Sequence, residues 1–250
     1  MPKPLDGKVA LVSGAGKNIG RAIALHLARD GAAIVVNGRS DAAALAAMVA
    51  EIEAMGGKAI PVLADVSDQA AVERMAAEAV DRLGGIDIVV SNAGLRRQTP
   101  FLDMGLAEWR EILSVALDGA FILAKATVPH MIRRGGGAIV ALSGISTHLG
   151  TPNRCHVSAS KAGLEGLMRA LAIELAPHGI TCNCVSPGSV DTVRGAAAGA
   201  RPSTLGDRTI PLGRKASVDD IAATVRHLAG PEGGYITGQT IHVNGGLFLT

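Results

Sequence analysis

Aromatic residues are nearly absent from this chain. Among 250 residues only Phe101, Phe121, Phe248, Trp109 and Tyr235 carry a phenyl, indole or phenol ring, 2% of the total, which disfavours surfaces that bind by ring stacking. Cysteine is as scarce. Cys155, Cys182 and Cys184 are too few and too odd in number for a disulfide framework, which suits a reducing cytoplasm. Cys182 and Cys184 stand two apart in an expected strand and share one face, so they read as small core residues; a metal site needs more soft ligands. Charge is missing in blocks of either sign. The net charge is +2 without basic runs, leaving no electrostatic footprint for nucleic acid or an anionic membrane. The opening Met1-Pro2-Lys3-Pro4-Leu5-Asp6-Gly7 holds no apolar signal core, and no apolar run is expected to reach the roughly 18 residues of a bilayer span. The expectation is a soluble, unsecreted, cytoplasmic protein.

What the chain has in quantity is small and apolar: 48% of residues are hydrophobic and 32 are glycine, ample for one buried core. Short β-branched runs alternate with longer Ala-rich amphipathic stretches. Lys8–Ser13, Ala33–Asn37, Ala59–Leu63, Ile86–Ser91, Ala138–Ser143, Ile180–Ser186 and Thr240–Val243 read as strands. Asn18–Arg29, Asp41–Met55, Asp68–Leu83, Leu106–Arg133, Val157–Ala176 and Ser217–Ala229 carry helical spacing. Continuous apolar strands joined by crossover helices predict an α/β fold, a doubly wound parallel sheet of about seven strands. With no linker and no repeat, residues 1–250 are expected to form a single domain. Residues 193–209, rich in Gly, Ala, Arg and Pro and without a period, fall on the ligand side after the sixth strand. They read as a substrate lid or as an ordinary surface loop.

The first strand runs into Ser13-Gly14-Ala15-Gly16-Lys17-Asn18-Ile19-Gly20, and a helix follows. Glycines at such a junction let the backbone turn tightly against a pyrophosphate, whose charge the helix N-terminus meets. This Ser-Gly-x-x-x-Asn-Ile-Gly run resembles the phosphate turn of the short-chain dehydrogenase/reductase family, with Asn18 in place of its middle glycine. Other segments resemble that family in order. They are Asp65-Val66, Asn92-Ala93-Gly94, Ser158-Ala159-Ser160-Lys161-Ala162-Gly163, Ser186-Pro187-Gly188 with Thr192, Ile236-Thr237-Gly238-Gln239 and Val243-Asn244-Gly245-Gly246. The likeness spans the chain and implies a single Rossmann-type domain that binds a nicotinamide dinucleotide. It places Asp65 and Val66 at the adenine, Lys161 at the nicotinamide ribose, and Pro187, Gly188, Val190 and Thr192 on the nicotinamide side. It also implies a homotetramer built on the central helix and the Val157–Ala176 helix.

Charge at the end of the second strand bears on which dinucleotide. An acidic residue there accepts from the ribose 2′-OH of NAD, whereas Arg or Lys accommodates the 2′-phosphate of NADP. Asn37-Gly38-Arg39-Ser40 offers one guanidinium and no carboxylate, and Lys17 adds a second cation. NADP(H) is preferred, with NAD(H) as the alternative.

At the catalytic end the family pattern breaks. It calls for a Tyr four residues before the Lys, a Ser thirteen before the Tyr and an Asn in the central helix; the chain has Val157, Gly144 and Ala116 there. A positioned acid or base is worth about 10²- to 10⁴-fold in rate, so a substitute is needed. His148, after the fifth strand, is a candidate acid. Ser143 stands beside the vacant serine position, although strand alternation points it the other way. His156 reads as a helix-start residue at the pocket rim or a subunit surface. Arg96, Arg97 and Arg194 flank the expected site and suit a carboxylate or phosphate on the substrate, or simple solvation. Ser158-x-x-Lys161 also matches the Ser-x-x-Lys of serine acyl-transfer enzymes, but their Ser-Asp-Asn and Lys-Thr-Gly companions are absent. Two functions remain: an oxidoreductase of a small carbonyl or alcohol with an altered active centre, or a catalytically silent NADP(H)-binding protein. No metal is implied.

Overall fold

A computed structural model describes residues 3–193 and 209–250. Seven strands, β1 (Val9–Val12), β2 (Ala33–Gly38), β3 (Ala59–Leu63), β4 (Ile88–Ser91), β5 (Gly137–Leu142), β6 (Ile180–Pro187) and β7 (Thr240–Val243), form one sheet in the order β3-β2-β1-β4-β5-β6-β7. Every pair is parallel. The chain builds outward from β1 in one direction and then from β4 in the other. Ligands of such sheets lie beyond the carboxyl ends of the strands at that switch point.

The strands are apolar on both faces because helices cover both. Ala10 and Val12 face a core shared with α1 (Asn18–Arg29), α2 (Ala42–Ala54) and α8 (Val218–Ala229). Val9 and Leu11 face the opposite core, which includes α3 (Gln69–Leu83), α5 (Gly119–Arg133) and α7 (Cys155–Leu175). Leu11 and Ile139 are fully buried there, and truncating such a side chain to Ala costs about 2–5 kcal/mol.

Local chemistry sets the helix ends. Asp41 and Asp68 cap α2 and α3 by accepting from Ala44 N and Ala71 N, both at 3.0 Å, and Gly84, at φ +88°, ends α3 in the left-handed conformation.

Two expectations need correction. The Leu106–Arg133 stretch is not one regular helix: α4 (Leu106–Leu113) passes through a π turn (Ser114–Asp118) into α5. The stretch also holds 18 consecutive residues with a mean hydropathy of 1.5 within its 28-residue length, long and apolar enough to cross a membrane, where no such run was expected. The apolarity serves the core instead, where Ala116, Ala120, Leu123, Ala124 and Met131 are buried. His148 lies on a short helix, α6 (Ser146–Leu149).

Candidate active site

The turn between β1 and α1 is built around Ser13 and Asn92. Ser13 Oγ accepts from Asn92 N and Ala93 N, both at 3.0 Å, and donates to Val90 O at 3.2 Å. Asn92 Nδ2 donates to Ser13 O and Gly14 O at 2.9 and 3.1 Å. This lock leaves no space at Gly20, where a Cβ would stand 2.2 Å from Gly14 O. Asn18 adopts φ +51°, the left-handed conformation that glycine adopts freely and asparagine tolerates. Its amide also clasps the Val193 backbone, donating to O at 2.9 Å and accepting from N at 3.0 Å.

The N-terminus of α1 differs from its neighbours. Asp41, Asp68 and Ser217 cap α2, α3 and α8, but α1, with Lys17 at its N-cap, has no side-chain cap. Its N–H groups and positive dipole end are left for an anion. That fits a dinucleotide pyrophosphate, with Ser13, Gly14, Lys17, Asn18, Ile19 and Gly20 around it.

Beyond β2, Arg39 is exposed, and Asp41 is committed to capping. No carboxylate from this turn is left for a ribose hydroxyl. Asp65 faces opposing influences: burial raises its pKa, but Ser67 N at 3.0 Å, Ser67 Oγ at 2.7 Å and the charge of Arg39 together hold it below the ordinary carboxylate value. Val66 is buried against α5, where a Cβ on Gly119 would lie 2.8 Å from Val66 Cγ2.

From this turn a cleft of about 400 Å³ opens over the ends of β4, β5 and β6. Asn92, Gly94, Ser143, Val157, Lys161, Pro187, Gly188, Val190 and Thr192 line it. Lys161 Nζ donates to Leu142 O at 2.5 Å, and burial, aided by the Arg96 charge, brings its pKa down to about 8. Gly144 also lines the cleft, with Val157, buried, on α7. Ala116, buried, occupies the π turn. None of these three side chains can donate a proton.

The candidate substitutes lie as follows. Ser143 does not point the other way as expected: it lines the cleft, and its hydroxyl donates to buried Glu165 on α7, because alternation puts it on the same side of the sheet as Ala141. His148 is not among the residues lining the cleft. Its Nε2 lies 3.2 Å from Glu165 Oε1 and its ring stacks on Phe248 at 5.0 Å, so the direct acid role expected of it has no geometry here. His156 is at neither rim nor surface. It is fully buried, 3.2 Å from Glu108 Oε1, because its position on α7 turns it toward α4. Arg97 is held by Glu111 at 2.5 and 2.9 Å, and Arg96 lines the cleft. Arg194 and all but the ends of the 193–209 segment lie outside the described residues.

Sequence reasoning missed Glu165, Arg154 and Lys215. Arg154 is buried in the cleft wall as the N-cap of α7, and a cation at a helix N-terminus opposes the dipole, which was a readable signal. Glu165 had one too. It lies four residues past Lys161 on the stripe that includes Val157. Among the described residues lining the cleft, Arg96, Arg154, Lys161 and Lys215 are cationic and none is acidic.

A family model described as enoyl-(acyl carrier protein) reductase matches residues 14–248. A 3-oxoacyl-(acyl-carrier-protein) reductase of Synechocystis is 38% identical over 98% of both chains. An L-rhamnose 1-dehydrogenase (NAD(P)(+)) of Sphingomonas is 38% identical over 99% of this chain and 98% of its own. Two solved structures superpose closely. A dehydrogenase/reductase from Sinorhizobium meliloti has a TM-score of 0.90 at 35% identity, covering 98% and 96% of the two chains. A metagenomic blue fluorescent protein in complex with NADPH has 0.92 at 34%, covering 99% and 100%. The chain belongs to the short-chain dehydrogenase/reductase family. Within it, the relatives include 3-oxoacyl-(acyl-carrier-protein) reductases from several bacteria.

Proposed function

We propose that the protein is an NADP(H)-dependent oxidoreductase interconverting a carbonyl and an alcohol on a small anionic substrate, through an active centre that lacks the family tyrosine. The cleft itself carries this reading: it leads from an uncapped helix N-terminus past Lys161 and, among the described residues, is lined by four cations and no carboxylate. Arg39 and Lys17 stand where a 2′-phosphate and pyrophosphate would be met, and Asp65 and Val66 close the adenine side. When bound, the nicotinamide supplies or accepts a hydride. Lys161 holds the nicotinamide ribose, while Arg96 and Arg154 orient the substrate's acid group. The reading includes a homotetramer in the cytoplasm. Val157, Gly144 and Ala116 favour a second reading, a silent nucleotide-binding protein.

Fluorescence titration separates these. NADPH is expected to bind more tightly than NADH, and Arg39→Ala to weaken NADPH alone by about tenfold or more, the worth of one charge-assisted hydrogen bond. Equal affinities unmoved by Arg39→Ala would remove the NADP(H) preference. Turnover of acetoacetate, a minimal anionic ketone, supports the enzyme. If turnover appears only after Val157→Tyr, Gly144→Ser and Ala116→Asn are combined, the silent reading stands. Gly144 accepts the serine readily, since a Cβ there would meet nothing nearer than Ser146 Oγ at 3.9 Å.

A further inference from the structure

Alternation along β5 puts Ala141 on the α7 side of the sheet and Leu142 on the other, and Ser143 follows Ala141. On α7, a spacing of four puts Val157, Lys161 and Glu165 on one stripe. Where the two meet, the Ser143 hydroxyl donates to Glu165 Oε1, and His148 Nε2 lies 3.2 Å from that same oxygen. A carboxyl group whose side chain is 7% exposed is costly unless partnered. Here both partners are hydrogen-bonding groups that can carry a proton. His148, at 23% exposure, ends the chain of contacts toward solvent, whereas Ser143 begins it in the cleft.

We propose that Ser143, Glu165 and His148 form a proton relay that takes the place of the missing tyrosine. This rests on the oxidoreductase reading above. In the oxidising direction the substrate hydroxyl gives its proton to Ser143 Oγ as Ser143 gives its own to Glu165 Oε1. The O–H electron pair becomes the second C–O bond, and the C–H pair leaves as hydride to the oxidised nicotinamide dinucleotide. Glu165 then passes the proton to His148 and so to water. Carbonyl reduction runs the same protons backward. Ser143 is the group that meets substrate; Glu165 and His148 act through it.

The remaining groups around Glu165 leave the relay undisturbed. Lys161 and Arg169 stand four residues to either side on α7. Cys184, from β6, stays a neutral thiol because burial first and the Glu165 charge second push it up to about 12. His242, from β7, lies edge-on to His148 with ring centroids 4.6 Å apart. Burial and the neighbouring His148 hold its pKa below the ordinary histidine value, so at neutral pH it adds no competing charge.

The test compares wild type with Glu165→Gln, Ser143→Ala and His148→Gln. NADPH affinity is expected to be unchanged in all three. Acetoacetate turnover should fall about 100-fold or more in Glu165→Gln and Ser143→Ala, the worth of a positioned acid or base. In His148→Gln the pH profile of kcat should change shape. Without any cofactor, the NMR signals of the His148 ring at one fixed pH should move in both Glu165→Gln and Ser143→Ala, because both substitutions change the hydrogen bonding at the oxygen His148 faces. Wild-type turnover by Glu165→Gln with NADPH still bound, or His148 signals unmoved by either substitution, overturns the relay alone. Failure of the wild type to bind NADPH overturns the oxidoreductase reading and the relay with it. If acetoacetate is no substrate, the His148 signals decide.

Discussion

Lys161 is a cation in a place that disfavours one. Its amine falls from 10.5 to about 8 through burial and the Arg96 charge, so the unfolded chain holds that proton more tightly than the folded one. Stability contributed by this group is therefore present above pH 10.5 and is lost as pH falls through about 8. Wild type is expected to gain stability across that window relative to Lys161→Met, by about 3 kcal/mol at most, as read by urea unfolding at its two ends. Parallel pH dependences in the two proteins would contradict this. The lysine was legible because a family-like run surrounds it in sequence. Glu165 was legible only as a member of the Val157 and Lys161 stripe, because its meaning depends on Ser143 and His148 arriving from other elements. His156 misled for the same reason: adjacent helical positions diverge by about 100°, and the one after it, Val157, took the cleft.

At the scale of elements, the empty N-cap of α1 trades stability for ligand binding. An aspartate at Lys17 would cap the helix as Asp41 and Asp68 cap theirs and place a negative charge where the pyrophosphate belongs. Lys17→Asp is expected to stabilise the cofactor-free protein by about 1 kcal/mol and to weaken NADPH about tenfold or more through lost attraction and added repulsion. Thermal melts with and without NADPH measure both; a variant whose melting point NADPH still raises as in wild type would refute the second. The strand and helix spans were legible to within about two residues, since β-branched runs and side-chain caps mark them locally. The π turn at Ser114–Asp118 was not. Its residues have ordinary helical propensity, and the tight contact of Gly119 with Val66, a residue far off in sequence, has no local signature.

For the molecule as a whole, fold class and strand count were legible because alternation of strand and helix admits few parallel topologies. The cationic cleft was only half legible: Arg96 was visible beside a motif and Arg154 as a cation at a helix start, Lys215 only once the chain was closed. Quaternary structure was an inference from family likeness. It stays a proposal, resting on Phe101, Leu102, Phe121 and Ile173, which are 76%, 93%, 50% and 79% exposed on or beside the two helices expected at the interface, apolar side chains that another copy would cover. Light scattering is expected to give a tetramer for wild type and a smaller species for Phe121→Asp combined with Ile173→Asp; a wild-type monomer would end the proposal.

The clasp between Asn18 and Val193 joins residues 175 positions apart. During synthesis β1 and its turn emerge first, yet the backbone that receives the Asn18 amide is made only after β6. β1 likewise waits for β4 to fill its other edge. The nucleotide turn, first of the site's parts to leave the ribosome, is therefore among the last to set, since its clasp waits on backbone made after β6.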